Sequence, residues 1–244
     1  MAAKVVAIIP ARYNSQRFNG KVLYPIAGMP LLYHIWKSIS SSKSLNQLLI
    51  TTDDKRIKNA AESFGADVLM SSSRHKTGSD RVAEISEKVS GDIFINFQAD
   101  NFGIKPPFIN NLVANFLRDK SEKYATVVKK IKNDNLLFNP NCVKTVLDQK
   151  DYALWFSRFP IPYLNSFKGK TRNSQHNFWE HIGIYLFRKS GLRKYAAWKR
   201  SDTEKAESLE QLRILENGGR IKAYKTTANI ISIDNKNDLR RIKI

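Results

Sequence analysis

The stretch Val5-Val-Ala-Ile-Ile-Pro10, running on as Ala11-Arg-Tyr-Asn-Ser-Gln-Arg-Phe-Asn-Gly-Lys-Val-Leu23, decides how the rest of the chain is read. Its first five residues are apolar and mostly β-branched, and a proline stops them. That run is far too short for a signal peptide and reads as a buried first strand. A polar loop through Lys21 follows. Helical spacing then takes over at 30–40, where Leu31, Ile35 and Ile39 share a face.

Outward from this unit the alternation repeats. A second strand is expected at 48–52, ending at Asp53-Asp54, then a helix at 55–64 stopped by Gly65. A third strand at 67–70 precedes a helix at 79–89 with Val82, Ile85 and Val89 on one face. A fourth strand at 92–97 ends in Gln98-Ala-Asp100, and another helix covers 107–120. Strand–helix alternation of this kind argues for an α/β fold, a mostly parallel sheet flanked by helices. Ligands of such sheets bind outside the carboxyl ends of the strands. The second half is less regular. Strands are expected at 124–131, 141–147, 181–187, 223–225 and 230–233, with helices at 208–215 and 235–242 and a short mixed segment at 152–158. No linker divides the chain, so 1–244 is taken as one domain. The strands of ~124–190 are either an insertion on the same sheet or a small mixed subdomain that pairs two chains.

The composition sets bounds. Over 244 residues, 41 Lys plus Arg against 22 Asp plus Glu leave a net charge of +19. A polyanion partner such as nucleic acid is one reading of that charge. The basic residues are scattered, however, and the densest group, Lys168-Gly-Lys-Thr-Arg172, looks like an exposed loop, which favours a solvated surface. Helix-turn-helix, zinc-finger and RRM signatures are absent, so no nucleic acid is expected. The single cysteine, Cys142, excludes an internal disulfide and reads as a small buried hydrophobe. No window reaches the ~20 apolar residues of a membrane helix, so no membrane partner is expected and the cytoplasm is the default compartment.

Five constellations carry chemistry. In the first loop, Arg12, Ser15, Arg17, Gly20 and Lys21 can cradle phosphates through fixed cations and backbone N–H groups. The loop is neither a P-loop nor Gly-x-Gly-x-x-Gly, and a solvated basic loop is the competing reading. Asp100, at the end of a buried strand, is placed to hold Mg²⁺ together with phosphate oxygens, unless it is only a turn residue. Asp234 follows the apolar run at 230–233 and competes with a role as helix cap. Two carboxylates at one sheet edge facing a loop of cations are a minimal kit for nucleotidyl transfer. Thr77, Gly78, Ser79 and Arg81 form a turn that can meet a base or phosphate, with Ser79 also a candidate cap. Lastly, Arg158, His181, Tyr185, Glu210 and Gln211 offer the mixed donors and acceptors that a hydroxyl-rich acid needs. The bland alternative makes His181 a core histidine and Glu210 with Arg213 a surface pair.

Taken in order, Ala11-Arg12-x-x-Ser15-x-Arg17, Gly20-Lys21, Thr77-Gly78-Ser79-Asp80-Arg81, Gln98-x-Asp100, Phe138-Asn139-Pro140-Asn141, Phe156-Ser157-Arg158, His181-x-Gly183-Ile184-Tyr185, Leu209-Glu210-Gln211-Leu212-Arg213 and Asp234 resemble the 3-deoxy-manno-octulosonate (Kdo) cytidylyltransferases, the CMP-Kdo synthetases. The match spans nearly the whole chain. It implies a nucleotide-diphospho-sugar transferase fold, a homodimer, and the reaction of CTP with Kdo to CMP-Kdo and pyrophosphate, with Mg²⁺ as cofactor, serving lipopolysaccharide or capsule synthesis. By the same resemblance Arg12, Ser15 and Lys21 bind the triphosphate, and Arg81 with the Thr77–Ser79 turn lies around the nucleotide. Asp100 and Asp234 hold Mg²⁺. Gln98, Arg158, His181, Tyr185, Glu210 and Gln211 surround the sugar acid.

The chain departs from the family pattern in two places. Gln98-Ala-Asp-Asn-Phe102 stands where Gln-Gly-Asp-Glu-Pro is usual, and Phe18-Asn-Gly-Lys-Val22 replaces Leu-Pro-Gly-Lys-Pro. Asn101 is expected to remove a negative charge beside the metal, and Ala99 to add a methyl where backbone approaches ligand. A related sugar acid, such as an 8-amino analogue of Kdo or another 3-deoxy-ulosonate, is the alternative substrate. Alternatively the chain binds nucleotide without turning it over, in which case Asn101→Glu with Ala99→Gly should raise the rate.

Overall fold

A computed structural model describes residues 3–15, 18–165 and 175–242. Arg17 and the Lys168–Arg172 cluster lie outside the described residues. The chain opens with β1 (Val5–Pro10), whose side chains alternate between two cores. A single 3₁₀ turn at Lys21–Leu23 follows the first loop. The hairpin β2 (Pro25–Ile26) and β3 (Met29–Pro30) turns through Ala27 and Gly28, both at positive φ. Then come α1 (Leu31–Ser40), β4 (Gln47–Thr52), α2 (Lys55–Ser63), β5 (Asp67–Met70), α3 (Gly78–Lys88) and β6 (Ile93–Phe97). These are the alternating elements expected from periodicity, displaced by a residue or two at their ends.

The chain continues through β7 (Asn101–Phe102), α4 (Pro106–Arg118), β8 (Tyr124–Lys130), α5 (Asp134–Phe138), β9 (Lys144–Leu147) and β10 (Ala153–Ser157). It ends with β11 (Trp179–Arg188), α6 (Lys189–Ala197), α7 (Asp202–Glu207), α8 (Leu212–Glu216), β12 (Lys222–Thr226) and β13 (Ile231–Ser232). Three expectations change. The segment at 152–158 is a strand, β10. The helix expected at 208–215 starts only at Leu212, because Ser208 closes α7 in the left-handed region at φ 53°. The closing helix is a 3₁₀ turn at Lys236–Arg241.

Nine strands form one sheet in the order β10-β9-β11-β6-β1-β4-β5, with β8 beside β11 and β12 beside β8. The strands β6, β1, β4 and β5 are mutually parallel, and β12 is parallel to β8. Strand β11 runs against β6, β8 and β9, and β10 against β9, so those two alone oppose the rest. The strands of residues ~124–190 therefore extend the same sheet instead of building one of their own.

Apolar side chains cover both faces. Val5, Ala7 and Ile9 pack with Leu31, Ile35, Ile57 and Ile109 from α1, α2 and α4. Val6 and Ile8 face the other way, onto Val82 and Ile85 of α3, Leu192 of α6 and Leu212 of α8. Two-faced burial explains why β1 is uniformly apolar. The carboxyl ends of β1, β4 and β6 fall at one edge, where Pro10 pairs with Thr51 and Ile8 with Asn96. The small β7–β13 ribbon adds to that edge, with Ser232 opposite Asn101. No helix among the described residues is long and apolar enough to cross a membrane.

Candidate active site

The first loop is shaped around Gly20, at φ +69°, where a Cβ would meet the Tyr13 ring at 3.2 Å. Its N–H donates to the Tyr13 carbonyl (2.9 Å), and the Arg56 guanidinium lies over the same ring. The turn sends Lys21 inward, and only 8% of that residue stays exposed. Its Nζ donates to Asp100 Oδ2 at 3.0 Å and to the Ile233 carbonyl at 2.6 Å. The Ile233 N–H in turn donates to the Asp100 carbonyl at 3.0 Å. Residues 21, 100 and 233 are thus tied directly, and Asp234 is the next residue along. Arg12 is exposed and Ser15 half-buried on the same loop.

Asp234 is not the cap of the closing turn. Asn235 is, its side chain accepting from the Asn237 and Asp238 N–H groups. The Asp234 N–H donates to Asp238 Oδ2, and the Ser232 hydroxyl donates to Asp234 Oδ2 at 3.4 Å. Asp100 Oδ1 is buried and has no hydrogen-bond partner. An orphaned carboxylate oxygen is costly unless a ligand satisfies it, and a hard cation is the ligand that suits it. Among the described residues no group of three or more His, Cys, Asp or Glu could hold a metal alone. Two carboxylates with the remaining positions left to phosphate oxygens and water is the donor set that Mg²⁺ accepts, so the residues present fit that group.

The start of α3 packs tightly onto β1. A Cβ on Gly78 would lie 3.2 Å from Pro10 Cγ and 3.4 Å from Asn96 Nδ2, so glycine is needed for close approach and not for a left-handed turn. The cap is Thr77, in a reciprocal capping box with Asp80, and not Ser79. Ser79 is buried, its N–H and hydroxyl donating to Glu210 at 3.0 and 3.1 Å. Arg81 is buried too. It pairs with Asp53 at 3.1 Å and donates to Ser71 Oγ and the Ser72 carbonyl, which binds the ends of β4 and β5 to α3.

His181, Tyr185 and Gln211 come together in one buried chain of hydrogen bonds. The Thr126 hydroxyl donates to the Ile184 carbonyl (2.9 Å) and so must accept from His181 Nε2 (2.8 Å). Nδ1 is then left to accept from Gln211 Nε2 (3.5 Å), and Gln211 Oε1 accepts from the Tyr185 hydroxyl (3.0 Å). Burial lowers the His181 pKa to about 3, so the ring is neutral. Burial also raises the Glu210 pKa, while its bonds to Ser79 pull the other way. Gln98 is half-buried, with its amide against Gly183: a Cβ there would lie 2.8 Å from Gln98 Cδ. Arg158 is half-buried and engaged with backbone, donating from Nε to Glu207 O (2.7 Å) and from Nη1 to Pro140 O (2.9 Å).

The surface pair weighed for Glu210 and Arg213 does not form. Both are buried, and Arg213 binds Asp80 and Glu204 at 2.8 Å while Glu210 accepts from Ser79. Cys142 is buried beside Ile131, Leu137 and Phe178, and burial raises its thiol pKa, so it is the inert residue expected. Asn101 does something the sequence does not reveal. Its Nδ2 donates to the Gly183 carbonyl at 3.0 Å, tying the Asp100 turn to β11. Thr126 and Asp53 were likewise unmarked; both are ordinary polar residues in strand or strand-end positions.

A helix-covered α/β sheet whose carboxyl edge sets a lysine loop against two acidic strand ends is the architecture of a nucleotidyltransferase. The cytidylyltransferase family model matches residues 6–224. A 3-deoxy-manno-octulosonate cytidylyltransferase of Geobacter metallireducens is 36% identical, the match covering 98% of this chain and 96% of that one. One from Fusobacterium nucleatum is 39% identical, with 98% and 95% covered. The solved structure of a CMP:2-keto-3-deoxy-manno-octonic acid synthetase complexed with CTP superposes with a TM-score of 0.88 at 33% identity, covering 98% of this chain and 96% of that one. The chain belongs to the cytidylyltransferase family of transferases, among the 3-deoxy-manno-octulosonate cytidylyltransferases.

Proposed function

We propose that this protein activates Kdo with CTP, giving CMP-Kdo and pyrophosphate, with Mg²⁺ as the metal. One observation carries the reading: Lys21 bridges Asp100 and the Ile233 carbonyl, which brings the two acidic strand ends to one cation. In the reaction the anomeric oxygen of the sugar acid forms a bond to the α-phosphorus. The bond from that phosphorus to the β-phosphate bridging oxygen breaks, and the hydroxyl proton is released to solvent. Asp100 and Asp234 would hold the metal, which when bound neutralises triphosphate charge and polarises the phosphoryl group. Lys21 occupies Oδ2 of Asp100 and leaves Oδ1 for that task. Arg12, Arg17 and Lys21 would balance charge on the pyrophosphate, and Ser15 and the Thr77–Arg81 turn would border the nucleotide. Gln98, Arg158, His181, Tyr185, Glu210 and Gln211 would shape the sugar-acid side, several of them from behind, as buried members of a network. No covalent intermediate on the protein is required.

The sheet edge at β10 exposes Leu154 and Trp155, and Phe159 and Tyr163 just beyond are 77% and 79% exposed. An apolar edge of this kind needs a cover, and a second copy of the chain is the partner we infer. The cytoplasm, where CTP is available, is the compartment that fits the reaction. A dedicated nucleic-acid binder is not favoured. The test is pyrophosphate release with CTP and Mg²⁺ against a panel of sugar acids. Release is expected with Kdo, and is expected to stop on chelation and return with Mg²⁺. No release with any 3-deoxy-ulosonic acid would remove the reading.

A further inference from the structure

Lys144, on β9, has no exposed surface, yet none of the chemistry above uses it. Its Nζ donates to the carbonyls of Asn139 (3.0 Å) and Cys142 (2.7 Å) and to that of Arg158. An ammonium has three donors and no acceptor, so these carbonyls use it completely. Burying such a charge is costly, and an apolar residue of similar size would fill the space without that cost.

The three carbonyls belong to two separate segments of the chain. Asn139 and Cys142 bracket the turn between α5 and β9, and Arg158 follows the end of β10. The Arg158 side chain closes the same knot by donating to Pro140 O and Glu207 O. The Glu207 carboxylate accepts from the Ser157 hydroxyl (2.6 Å) and the Arg158 N–H (2.8 Å). Glu207 ends α7, and the left-handed Ser208 turns the chain into Leu209, Glu210 and Gln211.

We propose that Lys144 is a positioning residue for the sugar-acid side of the site: its ammonium clasps three backbone carbonyls, fixing Arg158 and, through Glu207, the Ser208–Gln211 segment. The inference rests on assigning Arg158, Glu210 and Gln211 to the sugar acid. It bears first on the sugar acid: the clasp sets Arg158 directly, while Lys21 and Arg12 lie on other elements and the α3 turn is reached only through Glu210 and Ser79.

The test is Lys144→Met, which keeps length and apolar packing and removes the ammonium. The KM for Kdo is expected to rise about tenfold or more while the CTP dissociation constant stays within about twofold. An unchanged KM for Kdo in the folded variant would overturn the inference. So would parallel losses for both substrates, which would mark a general structural role. Should Lys144→Met fail to fold, Lys144→Arg decides. It keeps the charge, but a planar guanidinium cannot meet three carbonyls arranged for an ammonium, so the same split is expected and an unchanged KM overturns it. A wild-type enzyme inactive with every 3-deoxy-ulosonic acid would defeat the functional reading itself, and this inference with it. An active wild type with an unaltered Lys144→Met variant would defeat this inference alone.

Discussion

Lys21 and Asp100 form the pair on which the site turns. Replacing Lys21 with Met takes the ammonium from Asp100 Oδ2, beside the already orphaned Oδ1, and removes a cation from the proposed triphosphate site. Steady-state kinetics should show kcat falling by about 10² or more, in the range that loss of one electrostatic partner produces. Asn101 is the residue whose role the structure revises. Read from sequence it is a missing carboxylate beside the metal. In the fold its amide is the donor that Gly183 O requires. A carboxylate there has no proton to give and faces a carbonyl oxygen instead. Asn101→Glu should therefore lower turnover or raise the KM for Kdo, and a faster enzyme would return Asn101 to the role of a lost acidic group. The side chain's partner lies 82 residues away on β11, so no local pattern could have announced it.

At the scale of elements, β11 carries His181 and Tyr185, which the proposed function sets on the sugar-acid side. Its neighbours are β6 and β9 on one flank and β8 on the other, with a register shift against β8 between Ile182 and Tyr185. Gly183 sits in that irregular stretch with the Gln98 amide flat against it. A methyl at Gly183 would displace the end of a flexible side chain and not backbone. Gly183→Ala should thus cost little in melting temperature but move Gln98, and kinetics should show the KM for Kdo rising while that for CTP holds. Strand ends were legible in the sequence here because apolar runs stop abruptly at charged or polar residues. The caps were less so. Thr77, Ser79 and Asp80 all suit the start of a helix, and only the tertiary partner Glu210 assigns Ser79 inward.

Two predictions belong to the whole molecule. His181 is buried and neutral, with a folded pKa of about 3 against the ordinary 6.5. The unfolded chain takes up a proton there below about pH 6.5 that the folded chain refuses until about pH 3. Stability should therefore fall as pH drops through that window, with this group contributing about 1.4 kcal/mol per pH unit. Urea midpoints at pH 5, 6 and 7 should fall less steeply for His181→Gln, and parallel slopes would count against a neutral buried ring. The second concerns assembly. Leu154→Asp on the exposed β10 edge should shift sedimentation from the proposed dimer to monomer, whereas a wild-type chain that sediments as a monomer would refute that proposal.

The sequence by itself determined the alternating α/β order of the first half, the strand-end placement of Asp100 and Asp234, and the cation loop at Lys21. These depend on local periodicity and on where apolar runs end, and both are written along the chain. Only the tertiary fold settles which strand each late segment joins, why Asn101 is an amide, and which groups meet the buried Glu210, Arg213 and Lys144. Those outcomes depend on partners far away in sequence, because a buried charge or amide takes its role from the group that meets it once water is gone.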